Sequence, residues 1–250
     1  MSSDLAPRPG ETVEEIFDGA LRCIQPADGY RFALDSLLLA LFSWGAPGGR
    51  VLDLGTGSGI VALLMERSPG VRSVVGLELQ PRMADIARRN AALAGVTDRV
   101  TVVDGDLREA RAALAQAAYD QVVANPPYHR LGGGRVNEHP ERAIARHEVT
   151  ATVDDVLAAA EWSIRGRGPI RLIYPVLRLQ DVVTALSRHR LVLARLRMVH
   201  PLPDRPANQA LIEVRRAGAG APRVEPPLLV HSHGRSYSEE LAQFIRSLRR

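Results

Sequence analysis

The sequence predicts an α/β protein in which a seven-stranded, mostly parallel sheet is covered by helices on both faces. Short runs rich in β-branched residues alternate along the chain with longer segments of helical periodicity, which is typical of βαβ units. A glycine-rich turn directly follows the first of these runs. The composition, 46% hydrophobic and 24% charged over 250 residues, is enough for a large core without disulfide or metal support.

The predicted strands are the short apolar runs at 51–54, 73–77, 100–103, 121–124, 170–174, 191–199 and 209–214. The predicted helices lie between them, at 60–66, 82–94, 108–117, 153–164 and 179–187. A proline-rich linker (HPLPDRP) rather than a helix joins the last two strands. We therefore expect these two strands to form a C-terminal antiparallel hairpin at the sheet edge.

The chain shows no internal repeat, and the sequence predicts a single domain over 1–250. Residues 1–45 form an N-terminal extension and 46–250 a Rossmann-like core. A long loop over 129–148 contains the segment LGGG followed by charged residues. Loops of this length inside a compact domain are usually either functional or mobile, and both interpretations stay open.

The composition excludes several kinds of protein. Cys23 is the single cysteine, so no internal disulfide can form, and no Cys/His cluster indicates a metal site. No apolar run reaches the ~18 residues of a membrane span, and the N-terminus lacks an apolar signal region. These features predict a soluble cytoplasmic protein. The chain contains no lysine, which excludes a pyridoxal-phosphate Schiff base and a P-loop lysine.

Positive charge is concentrated in the C-terminal third of the chain. Residues 165–250 contain 16 arginines and 6 acidic residues, whereas residues 1–164 contain 16 arginines and 22 acidic residues. This asymmetry favours an anionic partner, with nucleic acid as the first choice. A solvated basic face, produced by a codon bias towards arginine, is the alternative interpretation.

The first motif is VLDLGTGSGI at 51–60, a strand that enters a glycine turn and then a helix. Gly55, Gly57 and Gly59 let backbone N–H groups approach a ligand closely. Ile60 stands where a dinucleotide fingerprint has its third glycine, and Asp53 would repel a pyrophosphate but attract an ammonium group. This chemistry points to S-adenosylmethionine, and a turn without a ligand is the alternative.

Two acidic residues follow the next strands at the same expected edge. Glu78 lies 21 residues beyond Gly57, where a carboxylate can accept hydrogen bonds from both ribose hydroxyls. Asp106 could accept a hydrogen bond from an adenine amino group, or it could cap a helix without any ligand. Both interpretations of Asp106 stay open.

The most specific motif is Asn125-Pro126-Pro127-Tyr128, immediately after the fourth predicted strand. Each proline pushes the residue before it into an extended conformation and lacks an N–H group. The Asn125 side-chain oxygen and the Pro126 carbonyl could therefore accept both hydrogens of a planar amino group. Holding these hydrogens would favour the pyramidal nitrogen whose lone pair attacks a methyl sulfonium, with Tyr128 stacked on a flat substrate.

In this order and spacing the motifs resemble those of class I S-adenosylmethionine-dependent amino-methyltransferases. The closest match is the bacterial tRNA (adenine) methyltransferase family that modifies the adenosine beside the anticodon of a valine tRNA. The similarity extends to the segment QPADGYRFALDSLLL at 25–39, to ARH at 145–147 and to SYSE at 236–239. One departure is Ala33-Leu34, where the family usually has Gly-Thr.

The resemblance implies a role for each motif. A methyl group would pass from S-adenosylmethionine to the exocyclic amino group of a tRNA adenine held by Asn125, Pro126, Pro127 and Tyr128. Phe32 and Asp35 would close over the cofactor, and arginines of the long loop would bind the RNA. The implied cofactor residues are Phe32, Asp35, Asp53, Gly55, Thr56, Gly57, Gly59, Glu78, Leu79, Asp106, Leu107 and Asn125, and the implied RNA residues are Arg130, Arg135, Arg142 and Arg146.

Three alternatives remain at this point. The same Asn-Pro-Pro-Tyr motif occurs in methyltransferases that act on a release-factor glutamine amide, but those carry a separate N-terminal domain, for which fewer than ~50 residues leave little room here. A non-catalytic protein that binds the cofactor or RNA would not need an intact Asn125. A dehydrogenase is disfavoured by Ile60.

Overall fold

The structure, a computed structural model, describes residues 6–17, 19–27, 33–46, 48–126, 151–218 and 220–249. Within these ranges the strands are β1 (Glu11–Ile16), β2 (Leu21–Pro26), β3 (Gly49–Leu54), β4 (Val71–Glu78), β5 (Val100–Asp104), β6 (Gln121–Ala124), β7 (Ile170–Pro175), β8 (Leu191–His200), β9 (Gln209–Arg216), β10 (Arg223–Val224), β11 (Leu228–Leu229), β12 (His231–His233) and β13 (Ser236–Tyr237).

The α-helices in the same ranges are α1 (Ala33–Ser43), α2 (Ile60–Glu66), α3 (Pro81–Leu93), α4 (Ala110–Ala113), α5 (Val153–Ser163), α6 (Leu179–Leu186) and α7 (Glu239–Ser247). Short 3₁₀ turns at Leu107–Glu109 and Val176–Arg178 precede α4 and α6. No helix in the described part of the chain has both the length and the apolar character that crossing a bilayer requires.

The central sheet has the order β10-β8-β9-β7-β6-β3-β4-β5, with β11 also paired to β8. Strands β3 to β7 are parallel to one another, and β9 inserts antiparallel between β7 and β8. The predicted seven-stranded sheet and its antiparallel hairpin are therefore confirmed. Two short strands, β10 and β11, run along the outer side of β8 in addition.

The sheet separates two hydrophobic cores. On one face Val51, Val123 and Ile173 pack beneath α1, α2 and α7. On the other face Leu52, Leu172 and residues of α5 and α6 form the second core. Because side chains of a strand alternate between faces, burial on both sides makes these strands continuous apolar runs in the sequence.

All seven predicted strands and four of the five predicted helices are present with small shifts at their ends. The helix predicted at 108–117 is wrong in length, because only Leu107–Glu109 (3₁₀) and Ala110–Ala113 are helical. The chain turns at Ala117, which has a positive φ of 49° and whose N–H donates to the Trp162 carbonyl. The helix itself ends earlier, where Leu114 takes an extended conformation (φ −124°, ψ 141°), and the contact of Ala117 then directs the chain toward β6.

The N-terminal extension contains a hairpin that the sequence does not predict. Strands β1 and β2 pair antiparallel, and β2 lies against α3 through Asn90, which is fully buried. The Asn90 side chain accepts a hydrogen bond from the Ile24 N–H at 2.6 Å and donates to the Ile24 carbonyl at 2.9 Å. It also donates to the Ser58 carbonyl in the glycine turn at 2.8 Å. One side chain therefore joins the hairpin, α3 and the turn.

We expect Asn90→Ala to destabilise the protein by about 2–4 kcal/mol, because it leaves three buried backbone groups without partners. Arg82→Ala is the matched control on the same helix, since exposed Arg82 donates one 3.0 Å bond to the Gly10 carbonyl of the extension. The Arg82→Ala control should lower the free energy of unfolding by less than about 1 kcal/mol. Chemical denaturation measures the free energy of unfolding of both variants. Equal losses for the two variants would contradict the role assigned to Asn90.

Candidate functional site

The candidate site lies at the carboxyl edge of the parallel strands. The glycine turn follows β3, Glu78 ends β4, Asp106 follows β5 and Asn125 follows β6. The strands β3, β4 and β6 are direct neighbours, with β3 between the other two. The structure therefore brings these sequence-predicted elements to one edge, where open α/β sheets bind ligands.

The glycine turn needs a backbone that other residues rarely adopt. Gly55, Gly57 and Gly59 have φ angles of 71°, 58° and 84°. The N–H groups of Gly55 and Thr56 both donate to the Leu77 carbonyl, at 2.9 and 3.0 Å, which fixes the turn onto β4. A Cβ added at Gly55 or Gly57 would meet no atom within 4 Å, so this side of the turn is open to a ligand.

The opposite side of the turn is closely packed. A Cβ at Gly76 of β4 would lie 2.7 Å from Thr56 Cγ2 and 2.9 Å from Thr56 Oγ1. A Cβ at Gly59 would lie 3.2 Å from the Ala87 Cβ of α3. Small residues under the turn thus allow it to sit directly on the sheet and on α3.

Asp53 is a buried carboxylate beneath the turn. Its side chain is 1% exposed, and Oδ2 accepts a hydrogen bond from Thr56 Oγ1 at 2.6 Å. Burial, together with the nearby Glu78 charge, raises the pKa of Asp53 to about 7, in spite of the hydrogen bonds from Thr56 and the Ala62 N–H that lower it. A cation placed here would stabilise the ionised form.

Glu78 is held toward the turn by two backbone groups. Its Oε2 accepts a hydrogen bond from the Gly57 N–H at 2.8 Å, and its Oε1 accepts one from the Gln80 N–H at 2.9 Å. Each carboxylate oxygen can accept a second hydrogen bond. The carboxylate is therefore oriented and still able to bind hydroxyl groups. Leu79, partly buried, follows at the same edge.

Asp106 is a helix cap in this structure. Its carboxylate accepts hydrogen bonds from the Arg108 N–H at 2.9 Å and from Arg108 Nε at 2.8 Å. These bonds hold the pKa of Asp106 below its usual range. Of the two interpretations left open, the capping role is observed, and a ligand contact stays a prediction. Leu107 packs against the second core.

Asp35 reaches the same edge from the first turn of α1. Gln209 Nε2 donates to Asp35 Oδ2 at 3.4 Å, and burial raises the pKa of Asp35. Gln209 begins β9 and pairs with Pro175 at the carboxyl end of β7. Sequence reasoning found Asp35 but missed Gln209 and Asn90. The sequence contains one indication of a role for Asn90, because asparagine is unfavourable inside a helix unless its side chain makes a specific interaction.

Asn125 and Pro126 directly follow β6, Asn125 half-buried and Pro126 buried. The loop at 129–148 lies outside the described residues. The remaining predicted site residues also lie outside them: Phe32, Pro127, Tyr128, Arg130, Arg135, Arg142 and Arg146. Among the residues that the structure describes, no group of His, Cys, Asp and Glu could hold a metal ion.

Comparison with known proteins agrees with this geometry. A family model described as a methyltransferase domain matches residues 51–138. A tRNA1(Val) (adenine(37)-N6)-methyltransferase from Porphyromonas gingivalis is 31% identical over 219 residues, covering 84% of this chain and 85% of that protein. A protein of the same name from Aeromonas hydrophila is 30% identical, covering 84% and 86%.

Solved structures show the same fold at lower identity. The crystal structure of a predicted O-methyltransferase from Agrobacterium tumefaciens has a TM-score of 0.67 at 21% identity and covers 86% of this chain and 97% of its own. TYW2 from Pyrococcus horikoshii, in complex with MeSAdo, has a TM-score of 0.57 at 12% identity, covering 83% and 72%. These likenesses confirm the class I methyltransferase fold.

Gly76→Ala tests the close packing under the turn. The added Cβ would collide with Thr56, and we expect a loss of about 1–3 kcal/mol in the free energy of unfolding. Thr56→Ala removes two of the three atoms in the way, Cγ2 and Oγ1, and keeps the Cβ at 2.9 Å. The clash is therefore relieved in part, and the double variant should be more stable than the sum of the two single changes predicts. Denaturation of all four proteins measures this coupling. Strict additivity would mean that Thr56 does not clash with the new methyl group.

Proposed function

This chain belongs to the tRNA1(Val) (adenine(37)-N6)-methyltransferase family, and from that membership we propose that it transfers a methyl group from S-adenosylmethionine to the exocyclic amino nitrogen of an adenine in tRNA. One observation carries the proposal. The glycine turn, Glu78 and Asn125-Pro126 follow three adjacent parallel strands, so a cofactor and an amino group could meet at one edge.

The residues at this edge fit S-adenosylmethionine. Asp53 provides a buried negative charge for the ammonium group, and Glu78 provides carboxylate oxygens for the ribose hydroxyls. Gly55 and Gly57 leave the turn open on the ligand side. When bound, the cofactor supplies an electrophilic methyl group on a sulfonium. Further proposed contacts come from Phe32, Asp35, Thr56, Gly59, Leu79, Asp106, Leu107 and Asn125.

Asn125 and Pro126 are the proposed binding site for the reacting amine. The side-chain oxygen of Asn125 and the carbonyl of Pro126 would accept its two hydrogens. These acceptors favour a pyramidal nitrogen, whose lone pair is then directed at the methyl group. Pro127 and Tyr128 complete the motif, with Tyr128 stacked on the adenine ring. The target base must leave its stack in the anticodon loop to reach this site.

Two further proposals concern the RNA contacts and the domain organisation. Arg130, Arg135, Arg142 and Arg146 would bind tRNA phosphates beside the target base. We also propose that 1–250 is one domain, since the hairpin of β1 and β2 is joined to α3 and to the glycine turn by buried hydrogen bonds. Methylation of a glutamine amide and binding without catalysis are not favoured by the names of the relatives.

Radiolabelled methyl transfer tests the reaction. We expect labelled N6-methyladenosine in unmodified tRNA and no label on a release factor. Asn125→Ala should lower the rate at least about a hundredfold while cofactor binding is retained, because the variant loses a contact to the reacting amine. Gln243→Ala, an exposed amide on α7, is the matched control and should keep full activity. Label on the release factor alone would refute the tRNA proposal.

Cofactor affinity should depend on pH through Asp53. The pKa of about 7 means that this carboxyl is increasingly protonated below neutral pH. A bound ammonium favours the ionised form and lowers this pKa, so binding releases a proton. We therefore expect the Kd for S-adenosylmethionine to rise by up to about tenfold per pH unit as the pH falls below 7. Titration calorimetry between pH 5.5 and 8.5 measures this dependence.

Asp53→Asn provides the control for that titration. The amide cannot ionise, so the variant should bind more weakly at pH 8 and show a flatter pH profile than the parent protein. A parent profile that is flat across neutral pH, or one that Asp53→Asn leaves unchanged, would show that Asp53 does not carry the dependence.

A further inference from the structure

An arginine-lined cavity of about 610 Å³ lies away from the carboxyl edge. It opens beside the end of α1, where Phe42 and Trp44 line it, and over the amino-terminal half of β7 and the neighbouring part of β8. Five arginines and a single carboxylate, that of Glu213, contribute to its lining. None of these residues belongs to the proposed methyl-transfer site.

The floor of the cavity is a row of charged residues across three adjacent strands. Arg171 of β7 pairs in register with Glu213 of β9, and Glu213 pairs in register with Arg195 of β8. Arg171 Nε lies 2.8 Å from Glu213 Oε2, and both side chains are almost fully buried. Arg195 Nε lies 3.6 Å from the same oxygen. Sheet pairing thus fixes the position of each charge before any ligand binds.

The single carboxylate of the floor is shared by three guanidinium groups. Arg215 Nε also donates to Glu213, to Oε1 at 2.7 Å. Arg195 Nε is buried and makes no hydrogen bond, although its other nitrogens contact the Phe42 carbonyl and lie 3.6 Å from Glu225. Even with Glu225 counted beside Glu213, two negative charges face three positive ones, so the floor keeps a positive excess in a partly desolvated place.

Two further arginines at the rim add to this excess. Arg223 lies 75% exposed, with its Nη2 3.9 Å from Glu225. Arg167 is exposed and donates a 3.4 Å hydrogen bond to the Gly218 carbonyl. Side chains of this kind can turn toward an anion with little loss of existing interactions. Buried, ordered guanidinium groups below and adjustable ones above form a site for a ligand with several acceptor oxygens.

We propose that this cavity binds phosphate groups of the tRNA backbone, as a second contact separate from the one that holds the target adenine. The inference rests on the proposed function for the identity of the RNA. Guanidinium groups bind phosphate oxygens in pairs, and the cavity has room for a nucleotide. Such contacts position an RNA and carry no base identity, so the cavity would fix the register of the tRNA on the enzyme.

The test compares two double variants that remove the same charge. Arg167→Gln/Arg223→Gln changes the rim of the cavity, and Arg22→Gln/Arg188→Gln changes exposed arginines on β2 and after α6. Equilibrium binding of an unmodified tRNA transcript is measured for both at several salt concentrations. We expect the rim variant to bind about tenfold more weakly near 0.15 M salt and to lose about one to two units of log–log salt slope.

The control variant should stay within about twofold of the parent protein. In turnover the rim variant should show a raised KM for tRNA and an unchanged kcat at saturating tRNA, because the cavity does not touch the reacting atoms. Equal affinity and equal salt slope for the two double variants would overturn the proposal.

A second arm identifies the source of the phosphate. Trp44 lines the cavity, so in a Trp162→Phe background its fluorescence should change on addition of tRNA and much less on addition of inorganic phosphate or ATP. Saturation by ATP or phosphate, with tRNA binding insensitive to the rim variant, would overturn the RNA assignment. A parent protein that binds tRNA through the rim but methylates no tRNA would refute the proposed function and leave the cavity's role standing.

Discussion

The parallel pairing of β3 with both β4 and β6 is the constraint on which the site depends. This arrangement places the ends of three strands side by side, so the glycine turn, Glu78 and Asn125 meet without any long connection. It also forces the turn over β4, where two N–H groups share the Leu77 carbonyl. A side chain at Gly76 would occupy the space of Thr56, so the strand beneath the turn must have none there. The geometry of the sheet thus restricts the residue type even at positions such as Gly76, which lie beneath the turn and not on its ligand side.

The central strands could be predicted because burial on both faces produces continuous apolar runs. The hairpin of β1 and β2 could not, since ETVEEI at 11–16 is acidic and is only partly buried. Glu11 is stabilised by Arg89, which lies in α3 and 78 residues away, and such a pair leaves no local pattern. Gln209 was not predicted for the same reason, because its hydrogen bond to Asp35 joins residues that are 174 positions apart in the sequence. The motif residues were predictable because turns, strand ends and prolines constrain the chain locally.

The arginine excess of the C-terminal part has more than one structural use. Some of it supports the fold, as where Arg197 pairs with Glu240 through two 2.7 Å bonds and joins β8 to α7. Arg171 is also structural, because it links Glu213 to the Gln121 side chain across β6, β7 and β9. The row of Arg171, Glu213 and Arg195 in register on β7, β9 and β8 shows that the sheet orders part of this charge.

Asn90 connects the two parts of the protein that we propose to bind the same ligand. Its amide bonds both polar groups of Ile24 in β2 and the Ser58 carbonyl within the glycine turn. After β2 the chain continues to α1, which carries Asp35 to the carboxyl edge. A shift of the turn would therefore strain the buried bonds that hold β2, and a shift of β2 would strain the turn. Because breaking these bonds exposes unsatisfied backbone groups in the core, the hairpin and the turn keep one fixed relation. The N-terminal extension accordingly helps to hold the proposed binding site in position.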